Sequence, residues 1–439
     1  MASSNEHKAK LKNKLNFINS IGFEHFEKIY DRTNVEALAP NLKELKGKNK
    51  NFYYPLSINT WDSKEYDAIN KVVLSQNFTM GAKVKEFEEK FAKYMGSKYA
   101  VMVNSGSSAN LLMIASLVLD KNIDLNEGDE VIVPTLSWAT TYYPLQQYKL
   151  KAKFVDINLD TLNINEDAII SAISKKTKAI FAVNVLGNPC KFRKLHEICK
   201  KYNLILIEDN CESLGAKYND KYCGTFGITG SFSFYFSHHI HTIEGGMVIT
   251  NNERTYHHLL SLRAHGWIRD LPKDNKIFNK KGDSFEDSFV FVLPGYNLRP
   301  NEINGCIGIE QLKKVNNIIK QRRENAKIFK SLFKDNQNLQ LQKEIGKSSW
   351  FGFSIILKGK LKNKRPEILK ILREKGIETR PIISGNFLKY PVTKFLDYKV
   401  CGEINNSKEI DNNGFFIGNN HVDMEKELEY FKSVINKYF

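Results

Sequence analysis

His238 ends an aromatic run, Ser231-Phe232-Ser233-Phe234-Tyr235-Phe236-Ser237-His238, that continues to Thr242-Ile243-Glu244-Gly245-Gly246. An imidazole with an unperturbed pKa near ~6.5 takes and gives a proton at neutral pH, which is general acid–base chemistry. No lysine occurs between Lys221 and Lys273, so no amine of this segment can condense with a carbonyl compound. Upstream, Asn104-Ser105-Gly106-Ser107-Ser108-Ala109-Asn110 places Gly106 and the hydroxyls of Ser107 and Ser108 where a strand gives way to a helix. Free N–H groups at such a point suit a phosphate; the same residues also read as a plain helix start capped by Ser107 or Ser108. Trp138, in Ser137-Trp138-Ala139-Thr140-Thr141-Tyr142-Tyr143-Pro144, presents a flat ring for stacking on a heteroaromatic ligand, or else fills a core or interface. Asp209 follows a buried strand, and an acid at the carboxyl end of such a strand points into the ligand crevice of an α/β sheet or caps a helix. Ser233 adds a hydroxyl to the phosphate site. Asn297 and Arg299, before Pro300, are anion-binding groups or ordinary features of a helix start. His239 and His241 accompany His238, but adjacent residues of an extended segment point to opposite sides, so no metal site is expected.

The elements that must position these residues follow from periodicity. Short apolar runs bounded by Gly, Pro, Asn or Asp predict strands at 99–103, 130–133, 153–155, 179–183, 204–207, 231–235 and 247–249. Amphipathic stretches predict helices at 83–94, 108–118, 166–172, 191–202 and 255–262. Strands alternating with helices make the α/β class, with a mostly parallel sheet covered on both faces. A long helix is expected from 301 to about 333, with Ile307, Ile309, Leu312 and Val315 near one face. Beyond it, a strand at 350–356, a helix at 364–374, a Pro-containing loop at 380–390 and a terminal helix at 425–438 predict a smaller α+β domain. The expected division is an N-terminal extension at 1–50 (helical pieces at 23–30, a linker at 46–50), a large domain at 51–325 and a small C-terminal domain at 326–439.

Composition narrows the classes of function. The chain has 439 residues, 42% of them apolar, enough for a large core. No apolar run approaches the ~20 residues that span a bilayer, and the N-terminus lacks the apolar centre of a secretory signal, so a cytoplasmic enzyme with no membrane partner is expected. The net charge of +16 is spread along the chain without a nucleic-acid module, and it suits a diphosphate-bearing substrate better than DNA or RNA. Six cysteines at irregular spacing, with no C-x-x-C pair, read as reduced thiols rather than metal or cluster ligands.

Phosphate cradle, stacking ring, strand-end acid and a Gly245-Gly246 anchor segment occur in the order used by pyridoxal-phosphate enzymes, with histidine where the Schiff-base lysine would stand. From about residue 51 onward the chain resembles the sugar-nucleotide aminotransferase and dehydratase family, of the aspartate-aminotransferase fold (fold type I). The cradle, the Ser137–Pro144 segment and Ser237-His238-His239 match most closely its branch of 3-dehydratases of GDP-linked 4-keto-6-deoxysugars, which serve deoxysugar biosynthesis for lipopolysaccharide O-antigen. The resemblance implies pyridoxal or pyridoxamine phosphate bound non-covalently, stacked on Trp138, paired through its ring nitrogen with Asp209 and near Glu212 at its ring hydroxyl. It assigns the phosphate to Gly106, Ser107, Ser108 and Ser233, and to Asn297 of a neighbouring subunit, hence a homodimer with shared sites. His239, Arg299, Arg380 and Asn386 are the candidate substrate contacts, with Trp350 and His421 nearby candidates without roles. A sister branch carries an iron–sulfur cluster on cysteines after the anchor; the stretch 263–289 has none here, so no cluster is expected.

The expected reaction is 3-dehydration of a nucleotide-linked 4-keto-6-deoxysugar to a 4-keto-3,6-dideoxysugar. L-Glutamate is the amino donor, His238 the base, and ammonia is released. Histidine cannot recapture the cofactor aldehyde as lysine would, which turns the outcome away from amination. A sugar-nucleotide aminotransferase and a non-catalytic sugar-nucleotide-binding protein are the competing readings. Whether the nucleotide is GDP, CDP or dTDP is left open.

Overall fold

The apolar runs between residues 99 and 250 are rich in Val, Ile and Ala, and each is followed by a helix whose apolar stripe needs a sheet to cover. The computed structural model describes residues 52–438. The expected extension at 1–50, its helical pieces and its linker lie outside the described residues.

In chain order the elements are α1 (Ser63–Ser75), α2 (Ala82–Met95), β1 (Tyr99–Val103), α3 (Gly106–Val118), β2 (Glu130–Pro134), α4 (Ala139–Gln147), β3 (Lys151–Val155), α5 (Glu166–Ala172), β4 (Thr177–Val183), α6 (Phe192–Tyr202) and β5 (Ile205–Asp209). The hairpin β6 (Lys217–Tyr218) and β7 (Lys221–Tyr222) precedes β8 (Thr229–Ser233), β9 (Gly246–Thr250), α7 (Glu253–Arg263), α8 (Ser284–Asp287) and the long α9 (Glu302–Phe333). Then come β10 (Leu339–Leu341), β11 (Gly352–Leu357), α10 (Arg365–Glu374), β12 (Thr379–Arg380), β13 (Tyr398–Val400), α11 (Asn405–Asn413), β14 (Gly414–Gly418) and α12 (Glu425–Tyr438).

Eight strands form the large sheet in the order β1-β9-β8-β5-β4-β2-β3-β13. Only β9 runs against its neighbours β1 and β8; the other pairings are parallel. Alternation sorts the side chains: Val131, Val133, Phe181 and Ile207 join the cluster under α3 and α4, whereas Ile132, Ile180, Ala182 and Leu206 join the one under α5 and α6. This is the doubly covered sheet expected of the α/β class.

A four-stranded antiparallel sheet, β10-β11-β14-β12, packs with α10, α12 and the end of α9 around Phe329, Phe353, Phe415 and Phe431. Two details depart from expectation. β13 comes from the C-terminal third yet adds in parallel to β3 of the large sheet. On α9, Ile309, Leu312 and Val315 share one cluster, while Ile307 faces Val72 and Cys306 in another, because a two-residue step turns a helix by about 200°.

Candidate active site

The carboxyl ends of β2, β4, β5 and β8 meet at one edge of the large sheet, the usual place for a ligand crevice. Asp209, 5% exposed, ends β5 opposite Ser231 and Val183. Its Oδ2 accepts from Asn110 Nδ2 at 2.9 Å and Thr141 Oγ1 at 2.8 Å, and its Oδ1 accepts from the Cys211 N–H at 3.1 Å. Asn110 is fixed in turn by Ser231 Oγ at 2.6 Å, and Thr141 pairs with Ser137 at 2.7 Å. A carboxylate has about four acceptor positions, so Oδ1 keeps one for a ligand N–H. Asn110 and Thr141 hold the acid in place, and sequence reasoning gave neither a role. Asn110 carried a signal, an amide on the buried side of an otherwise apolar helix.

The cradle is built by close approach. Ser105 rather than Ser107 or Ser108 caps α3, accepting from the Ser108 N–H at 3.1 Å. Ser108 Oγ turns to Asn104 Oδ1 at 2.6 Å, and Ser107, exposed, lies 3.1 Å from Thr140 Oγ1. A Cβ on Gly106 would stand 2.5 Å from Cβ of Ser233, and one on Gly246 would stand 2.2 Å from the Ser105 carbonyl oxygen. The two glycines let the anchor strands press against the start of α3, so Ser233 stands beside its first N–H groups.

Trp138 sits at the N-cap of α4 with 59% of its surface exposed, so it is not a core tryptophan. Glu212 accepts from the Leu186 N–H at 3.0 Å, and burial, with the nearby Asp209 charge, raises its pKa to about 7. Leu186 accepts from the Phe351 N–H at 3.0 Å, and the Phe351 ring meets His238 edge-on at 5.2 Å. These contacts close a path from the acid to the histidine. The His238 N–H donates to the Tyr235 carbonyl at 2.9 Å, and the ring's Nδ1 is buried without a partner. Burial and the charge of Arg322 lower its pKa from 6.5 to about 3, so the ring is held neutral at physiological pH, a weaker proton acceptor than a free imidazole, instead of poised between two states.

The remaining candidates divide. Asn297 is exposed and accepts from Arg299 Nε at 3.0 Å; its neighbour Leu298 receives the Asn104 N–H at 3.0 Å, which puts both residues beside the cradle of their own chain. His239, 1% exposed, points Nε2 at the Ser349 carbonyl 3.1 Å away, so its ring is engaged in packing rather than open to a substrate. His241 stacks on Trp61 at 5.1 Å and reaches Asn59 at 3.0 Å. No group of metal-binding residues occurs among the described residues. Asn386 is buried, and its Oδ1 caps a short turn by accepting from the Leu388 N–H at 3.1 Å. Its loop closes on the crevice through Phe387 N to Thr135 O at 3.0 Å and Ser384 Oγ to Ser137 O at 2.5 Å. Arg380 is exposed in β12, and Trp350 belongs to the small core with Nε1 on Glu344.

A phosphorylated heteroaromatic ring fits these residues. The glycine approach gathers Ser233 and the hydroxyls of Ser107 and Ser108 at the start of α3, the indole is uncovered, and Asp209 has a spare acceptor position. The fold and this site together define an enzyme of the pyridoxal-phosphate-dependent aminotransferase fold. The chain belongs to the DegT/DnrJ/EryC1/StrS aminotransferase family, whose model matches residues 59–436. It is 53% identical to GDP-4-keto-6-deoxy-D-mannose 3-dehydratase of Yersinia pseudotuberculosis over 386 residues, 88% of this chain and 98% of that protein. The structure of the Escherichia coli GDP-4-keto-6-deoxy-D-mannose-3-dehydratase with bound hydrated PLP superposes with a TM-score of 0.86 at 52% identity, covering 88% of this chain and 100% of that one. A structure of GDP-4-keto-6-deoxymannose-3-dehydratase with a trapped PLP-glutamate geminal diamine gives 0.85 at 52% identity, covering 87% and 99%. No helix among the described residues is long and apolar enough to cross a membrane.

Proposed function

We propose that this chain is a pyridoxal/pyridoxamine-phosphate-dependent 3-dehydratase of a nucleotide-linked 4-keto-6-deoxysugar, with glutamate as amino donor. One observation carries the reading: the anchor segment, pressed against the cradle by Gly106 and Gly246, ends in a neutral histidine, in a stretch without lysine. The 53% identity to a GDP-sugar 3-dehydratase and the glutamate adduct of a 52% identical enzyme support the same reaction, with GDP as the nucleotide.

When bound, the cofactor supplies an electron-withdrawing ring and a carbon that exchanges an amine for an oxo group. Gly106, Ser107, Ser108 and Ser233 would hold its phosphate, Trp138 its face, Asp209 its ring nitrogen and Glu212 its ring hydroxyl. His238 takes the proton from glutamate's α-carbon in the first half-reaction. In the second it moves the proton that lets the sugar's 3-hydroxyl depart. Because the ring is neutral, it enters each step as a base. Glutamate and the 3-hydroxy ketosugar give 2-oxoglutarate, ammonia and the 3-deoxy ketosugar; glutamate supplies the two electrons that reduce carbon 3, so atoms and electrons balance without another reductant.

A homodimer with shared sites rests on the family resemblance, which puts Asn297 at the phosphate of a neighbouring copy; here Asn297 is exposed beside the cradle of its own chain. Arg299 and Arg380 remain as substrate contacts, while the cap made by Asn386 and the engagement of His239 reduce those two to shaping the crevice. All six cysteines are free thiols, in keeping with a cytoplasmic enzyme.

The test is incubation of the purified chain with pyridoxal phosphate and glutamate, then with GDP-, CDP- and dTDP-linked 4-keto-6-deoxysugars. The expected result is loss of aldehyde absorption on adding glutamate, followed by ammonia and a product one oxygen lighter from the GDP sugar. A stable aminosugar would establish the aminotransferase instead, and no spectral change at all would leave a binding protein.

A further inference from the structure

A second recess, of about 200 Å³, lies where the end of α2, the β6–β7 hairpin and the middle of α9 meet. None of the residues that line it belongs to the site described above. Gly215 forms part of its floor: a Cβ there would stand 2.8 Å from Cγ1 of Ile319, so α9 rests directly on the turn before the hairpin. Arg323 is locked into the wall. Its Nε donates to the Ser348 carbonyl at 2.9 Å, and its Nη2 donates to the carbonyls of Gly215 at 2.9 Å and Lys347 at 3.3 Å. Its Nη1 has no partner among the described residues. Lys217 carries its ammonium 4.2 Å from the centre of the Tyr222 ring, which packs on the Tyr94 ring at 5.2 Å. The Tyr94 hydroxyl donates to Asn316 Oδ1 at 3.1 Å, which orients that amide and leaves its Nδ2 unused. Lys320 is exposed and has no partner among the described residues. The acids nearby are engaged elsewhere: Glu324 with Lys327 at 2.9 Å, Glu344 with Lys330 at 2.9 Å and Asp220 with Lys347 at 2.6 Å. Lys217, Lys320 and Arg323 therefore gather three positive charges around one recess without a carboxylate within ion-pair distance. Such a cluster repels itself and attracts an anion.

We propose that this recess is a binding site for a small dianion of the phosphate type, either free phosphate or the terminal group of a phosphate monoester. Size and charge select that class. Clefts for larger organic ligands measure roughly 300–1,000 Å³, so this recess holds a compact group rather than a whole nucleotide. A single carboxylate would answer one of the three cations. A phosphate carries close to two charges and three strong acceptor oxygens, which match Arg323 Nη1, Asn316 Nδ2 and the two ammonium groups. The guanidinium supplies a donor of fixed direction, because three carbonyls already set its plane. The lysines supply mobile point charges that close on the anion from the rim. The site is separate from the cradle on α3, and its occupation does not depend on the dehydratase reading.

The experiment is a calorimetric titration of the full chain, loaded with pyridoxal phosphate so that the cradle is filled, at constant ionic strength. The probes are inorganic phosphate and methyl phosphate. Saturable binding of inorganic phosphate is expected. Methyl phosphate that binds as tightly assigns the site to the end of an ester, and methyl phosphate that binds much more weakly assigns it to the free ion. Lys320→Glu weakens phosphate at least ~10-fold, the size of one charge-assisted contact replaced by repulsion. Its thermal denaturation and its conversion of the cofactor by glutamate stay at wild-type values, because Lys320 bonds to nothing in the chain. Arg323→Met weakens phosphate as much, and Lys320→Glu is the variant that separates this loss from any loosening of the wall. Lys370→Glu makes the same change of net charge on the exposed side of α10 and leaves phosphate binding within about 2-fold of wild type. An absence of saturable phosphate binding up to ~10 mM, a Lys320→Glu protein that binds as well as wild type, or an equal loss in Lys370→Glu would each overturn the assignment. The last would reduce the effect to the general attraction of a chain with net charge +16.

Discussion

His238 is held in the neutral, proton-accepting form at a site where a phosphorylated ligand would favour the charged one. Burial and Arg322 produce this state by holding its pKa near 3, with His241 held near 4 by burial alone. In the unfolded chain both would titrate near ~6.5. Between those values the unfolded chain binds protons that the folded one refuses, so their contribution to stability is complete above about pH 6.5 and is lost as pH falls towards 3. The expected outcome for the cofactor-free protein is an NMR signal of the His238 ring that stays neutral from pH 8 to pH 5. A midpoint near 6.5 would contradict the assigned environment. Asp209, Ser233, Ser107 and Trp138 were legible in the sequence because they stand at the end of a strand or the start of a helix. The states of those residues were not legible. Nothing adjacent to His238 in sequence announces Arg322, which comes from α9, and nothing adjacent to Asn386 announces that its side chain serves as a cap.

The elements that periodicity made legible are those whose propensity and burial agree, such as β1, α5 and α12, found with the expected bounds. Those missed have local signals that conflict with their tertiary role. α4 contains Pro144 and the β-branched pair Thr140 and Thr141, poor helix formers, yet Thr141 is placed on Asp209 by being helical there. β14, Gly414–Gly418, has glycine at both ends, and Gly418 is needed because a Cβ would meet the Pro55 carbonyl oxygen at 2.4 Å. β13 is only three residues long and pairs across the chain with β3. The joint between α3 and the anchor strands yields a prediction at this scale. Gly106→Ala forces a methyl group against Ser233, costs about 1–3 kcal/mol of stability by overpacking, and weakens cofactor binding at least about 10-fold. Gly106→Ala with Ser233→Gly should recover much of both, read by thermal denaturation and a cofactor titration. If the double variant is no better than the single one, the close approach does not set the cradle.

At the scale of the whole molecule, the long helix α9 and the loop that follows β12 tie the small sheet to the crevice, through Arg322 on one side and Ser384 and Phe387 on the other. The proposed dimer makes a quantitative prediction. Mixing an inactive His238→Asn protein with an inactive Asn297→Ala protein, under conditions of subunit exchange, should restore activity. Each hybrid would have one site with both changes and one with neither. With random exchange, half the dimers are hybrids, so recovery approaches roughly a quarter of wild type. No recovery would place Asn297 in the site of its own chain.

The most direct measurement of the central claim is a single turnover from protein loaded with pyridoxamine phosphate, comparing wild type with His238→Asn. If the neutral imidazole moves the proton that releases the 3-hydroxyl, dehydration slows by ~10²–10⁴-fold while the dissociation constant of the sugar nucleotide changes little. A variant that dehydrates at nearly the wild-type rate would contradict the account.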